Sequence, residues 1–227
     1  MLECHWQDLG PLDYAAAFEM QQQFVENRKR GEIPDQLLLL EHPHVITLGR
    51  NGQPEHLLAG EEYLRRAGVS FHSTDRGGDI TYHGPGQLVG YPILDLREWK
   101  RDVSAYLRAL EQVLIDVLAV FGIAAGRETG LTGVWVPTPA GPAKIAALGV
   151  HLSRWVTSHG FALNVTTDLS YFQYIVPCGL RGKPVTSMEK ILGTDPGRDR
   201  VIAAVVENFG RVFAREMTSN IEVLCRT

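Results

Sequence analysis

Three side chains in this sequence stand where their chemistry would be useful. Cys178 lies between Pro177, which fixes φ, and Gly179, which clears space beside it. Such a turn presents a side chain and leaves the next backbone N–H free to meet an oxyanion. A free thiol titrates near ~8.5, so a nucleophilic role needs a nearby cation or N–H donors to favour the thiolate. The alternative is a buried, inert cysteine. Lys144 sits in Ala143-Lys144-Ile145-Ala146-Ala147-Leu148, with no other charge close by in sequence. As an ammonium it would stabilise a thiolate, and as an amine it could take a proton. Its bland alternative is a strand-end lysine reaching solvent. His83 belongs to the glycine-rich stretch Arg76-Gly77-Gly78-Asp79-Ile80-Thr81-Tyr82-His83-Gly84-Pro85-Gly86-Gln87. It could shuttle a proton near neutral pH, or simply bond the loop backbone. Arg76 and Asp79 could pair and brace the loop. A thiol, an amine, an imidazole and a glycine-lined pocket wall are the parts of an acyl-transfer site.

Other chemistries are less well supported. The glycine stretch lacks both the Gly-x-Gly-x-x-Gly spacing that opens a helix and Gly-Lys-Ser/Thr, and a strand is expected after it. His42 and His44 flank a proline, but no Cys/His pair at ligand spacing accompanies them, so no metal is expected. Cys4 and Cys225 fall in strand patterns near the two ends and read as structural.

The elements that must position these groups alternate in type. A strand is expected over 3–9, a helix over 12–30, strand pieces over 37–41 and 45–48, a short helix over 61–67 and a strand over 69–74. The glycine stretch leads into a strand over 88–96, irregular at Pro92. Apolar residues from Val103 to Phe121 recur at helical spacing, with Asp102 as N-cap and Gly122 as stop. Residues 133–136 and 143–152 form a hairpin around Pro137 to Pro142, and 160–165 a further strand. Thr186-Ser187-Met188-Glu189 matches a capping box. A last helix covers 199–217, and a closing strand 221–225. This pattern lacks the regular strand–helix beat of a doubly wound sheet. The expectation is one α/β (α+β) domain over 1–227, a mixed β-sheet flanked by helices.

Bulk properties narrow the class. The chain has 227 residues, 44% hydrophobic and 21% charged, which is ordinary for a globular protein. A net charge of −4 argues against a nucleic-acid partner, and no apolar run approaches a membrane span. With no signal-peptide pattern and three cysteines, a reduced, cytoplasmic protein is expected. A monomer is expected, since no long exposed apolar stripe is evident. Arg28-Lys29-Arg30, and Arg97 with Lys100 and Arg101, are local basic clusters. They suit helix ends, or less simply an acidic partner protein.

The stretch Arg76 to Pro92 closely resembles the lipoyl(octanoyl) transferases. So do Glu41 to Arg50, Lys144-Ile145 with Leu148-Gly149, His159 to Asn164, and Pro177-Cys178-Gly179. The likeness runs from about residue 40 to 190. It implies transfer of an octanoyl group from octanoyl-acyl carrier protein to a lysine of lipoyl domains. Those domains belong to oxoacid dehydrogenase complexes and the glycine-cleavage carrier protein. By the same resemblance Cys178 carries the acyl-thioester and Lys144 lowers its pKa, with no cofactor. Residues 76–83, Ala147, Leu148, Gly149, Gly160, Phe161 and Ala162 would line the substrate pocket. The small residues among them would admit a straight alkyl chain. The implied fold is that of biotin and lipoate ligases. Rival readings are an ATP-dependent ligase, a non-catalytic module that binds acylated carriers, and a thioesterase.

Overall fold

A computed structural model describes residues 2–177 and 182–219. In chain order its elements are β1 (Leu2–Pro11), α1 (Tyr14–Arg30), β2 (Asp35–Glu41), β3 (Val45–Leu48), α2 (Glu61–Arg66), β4 (Ser70–Ser73), β5 (Ile80–His83), β6 (Gln87–Ile93), α3 (Val103–Val120), β7 (Gly126–Glu128), β8 (Leu131–Val136), β9 (Ala143–Ser153), β10 (Val156–Asn164), α4 (Met188–Leu192), α5 (Arg198–Phe213) and β11 (Arg215–Ser219). Short 3₁₀ turns fall at Pro54–His56, Leu96–Glu98 and Leu169–Tyr174.

Eight strands form one mixed sheet in the order β11-β1-β2-β6-β10-β9-β8-β7, and β4-β3-β5 form a small second sheet. β1 runs parallel to both β11 and β2, and the remaining pairs of the large sheet are antiparallel. The unbroken run Leu37–Leu40 explains why β2 can be central. Leu37 and Leu39 enter the main core with α3 and α5, while Leu38 and Leu40 pack with Ala17 of α1 on the other face. A strand covered on both faces needs apolar residues at every position. The stripe on α3 does what its spacing predicts: Tyr106, Leu110, Val113, Leu114, Val117 and Leu118 are all inaccessible to solvent. Asp102 caps the helix by accepting from Ala105 N at 3.0 Å. No helix among the described residues is long and apolar enough to cross a membrane.

Several local expectations are corrected. The glycine stretch is not loop throughout, because Ile80–His83 pairs with β3 as a strand. β10 begins at Val156, four residues before the expected start, and joins β9 through the two-residue turn Arg154-Trp155. Both turn residues have positive φ, 51° and 70°, as such hairpins require. α4 is capped by Ser187, which accepts from Lys190 N, one residue later than the capping box implied. α5 stops at Phe213 because Ala214 turns left-handed at φ 53°, and Arg215–Ser219 then pairs with β1. The expected strand over 221–225 lies outside the described residues.

Candidate active site

A cavity of about 190 Å³ opens between the small sheet and the α1 face of the large one. Its walls contain Arg76, Gly78, Asp79, Ile80, Thr81, His83, Lys144, Ala147, Leu148, Gly149, Gly160, Phe161 and Ala162. Three sequence stretches far apart in the chain are thus brought to one place. Gly77 and Tyr82 are not among the cavity-lining residues. Gly77 N donates to Val150 O at 2.9 Å, and Tyr82 is buried with Ile46 and Ile175 behind the small sheet. Tyr14, Val89, Tyr91, Gly130, Leu131, Thr132 and His159 also line the space and were not among the pocket positions expected. Val89 and Tyr91 carried a signal, since they share one face of β6 at period two. Tyr14 carried none.

Lys144 owes its orientation to a bulge. Val134 pairs with Ala146 and Trp135 with Lys144, so β9 fits in an extra residue, Ile145. Ile145 and Ala146 both enter the main core. The inserted residue shifts the alternation, and Lys144 joins Ala147 and Gly149 along the cavity. Its Nζ lies 4.8 Å from the centroid of the Trp135 ring, and the residue is only 7% exposed. Gly133 leaves room for the stem: a Cβ there would sit 3.2 Å from Lys144 Cε and 2.9 Å from Ala146 O. The Lys144 backbone is fixed from the other side, its N donating to Pro184 O and its O accepting from Thr186 N, both at 2.9 Å.

Cys178 and Gly179 lie outside the described residues, as does Cys225. Both flanks of the Cys178 segment come to Lys144. Pro177 shares with Lys144, Thr81, Ala147, Ala162 and Asn164 a small recess of about 20 Å³ beside the main cavity. On the other flank, residues 184–186 make the backbone bonds just described. Cys4 is fully buried in the main core, and burial pushes its thiol well up.

The glycine stretch is clamped rather than braced by an Arg76–Asp79 pair. Arg76 donates to Thr47 O at 2.7 Å and to Thr47 Oγ1, and Asp79 accepts from Ile80 N, Gln53 N and the His56 ring. Close packing explains Gly49 and Gly149. A Cβ on Gly49 would lie 2.5 Å from Gly78 O, and one on Gly149 2.9 Å from Gly77 O.

Burial keeps the cavity's histidines neutral. His83 Nδ1 donates to Gln87 Oε1 at 2.7 Å, because the Gln87 amide nitrogen is used on Asn164 Oδ1 and Tyr82 O. Asn164 Nδ2 in turn donates to Thr186 O at 2.9 Å. Burial holds the His83 ring down to about 3, helped by His42, so it is a weak base at neutral pH. His42 donates from Nδ1 to Leu12 O and accepts the Tyr91 hydroxyl at Nε2, both at 2.7 Å. Burial lowers it to about 4. His159 holds a left-handed φ of 54° with its N–H on Gln21 Oε1 and its ring on Asp75. Burial outweighs Asp75 and lowers its pKa also. Among the described residues no group of three or more His, Cys, Asp or Glu is placed to hold a metal ion.

Of the basic cluster at the end of α1 only Arg28 is buried, while Arg30 is exposed. Arg28 is buried against Asp35 at 2.8 Å and also reaches Glu98; Lys29 pairs with Glu26 and Arg30 with Glu32. Arg97 is tied to Asp95. These charges are spent on the fold.

The family described as the lipoyl protein ligase A/B catalytic domain matches residues 13–210. An octanoyltransferase from Solibacter usitatus is 64% identical over 217 residues, which cover 96% of this chain and 96% of that protein. One from Koribacter versatilis is 52% identical over 212 residues, covering 92% and 84%. Among solved structures, a bipartite lipoate protein ligase from Thermoplasma acidophilum has a TM-score of 0.74 at 17% identity, over 98% of this chain and 89% of that one. A biotin protein ligase from Aquifex aeolicus, in complex with biotin and ATP, has a TM-score of 0.54 at 12% identity, over 93% and 70%. The structural likenesses establish a shared fold, a mixed sheet flanked by helices.

Proposed function

Because the chain belongs to the octanoyltransferase branch of the lipoyl protein ligase A/B catalytic-domain family, we propose that it transfers an octanoyl group from octanoyl-acyl carrier protein to a lysine of lipoyl domains. These are the lipoyl domains of oxoacid dehydrogenase complexes and the glycine-cleavage carrier protein. The whole chain acts as one cytoplasmic, monomeric catalytic domain. The observation that carries this reading is a cavity lined by buried Lys144, with a small recess beside it that Lys144 shares with Pro177, the residue bonded to Cys178.

In the first half-reaction the Cys178 thiolate attacks the thioester carbonyl of the donor. The C–S bond to the carrier breaks, the carrier leaves as a thiol after taking a proton, and octanoyl-Cys178 remains. Lys144, held as an ammonium above Trp135, favours the thiolate and supplies that proton. In the second half-reaction the acceptor lysine, as a free amine, attacks the octanoyl carbonyl. The amide C–N bond forms, the C–S bond breaks, the amine proton passes to the neutral Lys144 amine, and the Cys178 thiolate returns. Thioester to amide is downhill, so nucleotide is not consumed. The alkyl chain lies along Ala147, Gly149, Gly160 and Ala162, whose small side chains keep the cavity slim. His83 serves as wall and as anchor of the Gln87–Asn164–Thr186 bonds, since a ring held near 3 gains little by taking a proton at pH 7.

The test is to mix the protein with octanoyl-acyl carrier protein alone and record intact mass with peptide mapping. A hydroxylamine-labile octanoyl group on Cys178, discharged onto a lipoyl-domain lysine without ATP, is the expected result. Modification only when ATP and free octanoate are supplied would replace this reading with that of a ligase. Free octanoate without protein modification would indicate a thioesterase.

A further inference from the structure

Glu111 is a carboxylate that the reaction above does not use, yet it is 1% exposed in the middle of α3. Its Oε2 accepts from Arg108 Nη1 at 2.6 Å and Arg127 Nε at 3.0 Å. Those two arginines are half-exposed and could neutralise a carboxylate at the surface. Burying it gains something else: Oε1 accepts the backbone N–H of Gly133 at 3.0 Å. Gly133 stands on β8 at φ 130°, next to the β8–β9 bulge and within the register shift where β7 pairs Gly126 with Trp135 but Glu128 with Leu131. A bulge interrupts the ladder, so a strand N–H beside it needs an acceptor from elsewhere. Glu111 supplies one from the α3 side of the sheet, while the opposite face of β8 carries Trp135, under Lys144 Nζ. The absent Gly133 side chain is the gap that Lys144 Cε fills.

We propose that Glu111 is a positioning residue for Lys144: by fixing the Gly133 N–H it holds the β8–β9 bulge in the form that turns Lys144 toward the cavity. The proposal rests on the reading of Lys144 as the partner of Cys178. A carboxylate on the far face of the sheet then governs the reactivity of the thiol without touching substrate.

The experiment compares wild type, Glu111→Ala, Glu111→Gln, Gly133→Ala and Lys144→Met. Each is measured for octanoyl transfer and for the pH dependence of iodoacetamide alkylation, followed on the Cys178 peptide. A misplacement of about 1 Å at a catalytic group costs on the order of 100-fold. Glu111→Ala is expected to lower kcat by about that much with KM nearly unchanged, and to move the alkylation midpoint upward toward that of Lys144→Met. Glu111→Gln keeps an acceptor for Gly133 N–H and restores most of the activity. Should Glu111→Ala fail to fold, Gly133→Ala, which fills the gap beside Lys144 Cε, is expected to give the same pair of changes. If Lys144→Met raises the midpoint but folded Glu111→Ala, or Gly133→Ala in its place, keeps wild-type kcat and midpoint, the positioning role is wrong and the Lys144–Cys178 reading stands. If Lys144→Met itself leaves the midpoint and the rate unchanged, the reading beneath both has failed.

Discussion

Mild acid should destabilise this protein through two buried histidine rings. His42 and His83 are 1% and 8% exposed, and burial holds them near 4 and near 3. In the unfolded chain both return to about 6.5. A base whose pKa is depressed by folding leaves the unfolded state with more bound protons below that value. Stability is therefore complete above pH 6.5 and falls as the pH drops toward the folded values. At pH 5 each unfolded ring is almost fully charged and each folded ring almost neutral. The difference of about 1.5 units between 6.5 and 5 is about 2 kcal/mol per ring, or about 4 kcal/mol for the two. The rings lie 5.7 Å apart, so charging one in the folded state opposes charging the other. His159, lowered by burial as well, adds in the same direction. Asp8, Asp75 and Asp95 are held below the ordinary carboxylate range and keep their charge at pH 5. Urea unfolding at pH 7.5 and pH 5, followed by tryptophan fluorescence, measures the loss. With a slope of about 2–3 kcal/mol per molar, the midpoint should fall by roughly 1.3–2 M. A midpoint that moves by less than about 0.3 M would show the rings to be solvated or already charged in the fold, and the reasoning would be refuted.

Three further outcomes follow from particular contacts. Arg28→Met leaves the buried Asp35 with Arg215 and the Asp95 N–H and should cost about 3–5 kcal/mol in urea unfolding; a loss under 1 kcal/mol would mean the site relaxes to admit water. Asn164→Ala leaves the Gln87 amide nitrogen with Tyr82 O alone and takes the Asn164 bond from Thr186 O, for about 1–3 kcal/mol per lost partner, and should slow transfer through the Thr186–Lys144 contact; wild-type stability would refute the network. Ala162→Leu should shift donor preference from octanoyl to shorter acyl chains in a competition between acyl carrier thioesters, and an unchanged preference would place the alkyl chain elsewhere.

The parts of the site written in residue type were legible in the sequence. A lysine with no charged neighbour, in an apolar strand, was a candidate for work, and the glycines of 76–87 signalled close backbone approach, which Gly49 and Gly149 share. The apolar spacing of α3 gave its boundaries to within a residue. Features set by tertiary partners were not legible. Nothing in Val134-Trp135 or Lys144-Ile145-Ala146 announces a bulge, yet the bulge decides which face Lys144 takes. Arg154-Trp155 contains neither glycine nor asparagine, so the β9–β10 hairpin left no turn signature. Helical spacing continues past Phe213, and only the pairing of Arg215–Ser219 with β1 makes a left-handed Ala214 worthwhile. His83 by type could carry a proton or bond its own loop, and the partner it bonds, Gln87 Oε1 at 2.7 Å, was set by folding and not by the sequence pattern.

The order β11-β1-β2 has a consequence for biosynthesis. β1 leaves the ribosome about 200 residues ahead of Arg215–Ser219, the strand that covers one of its edges. At about 5–20 residues per second the nascent chain carries that uncovered edge for on the order of tens of seconds. Throughout that interval Leu2–Pro11 offers an unpaired row of backbone groups to any neighbouring chain. Expression yield should therefore respond to translation speed and chaperone supply more than to equilibrium stability, and variants that weaken β11 should aggregate during synthesis before they lose activity once folded.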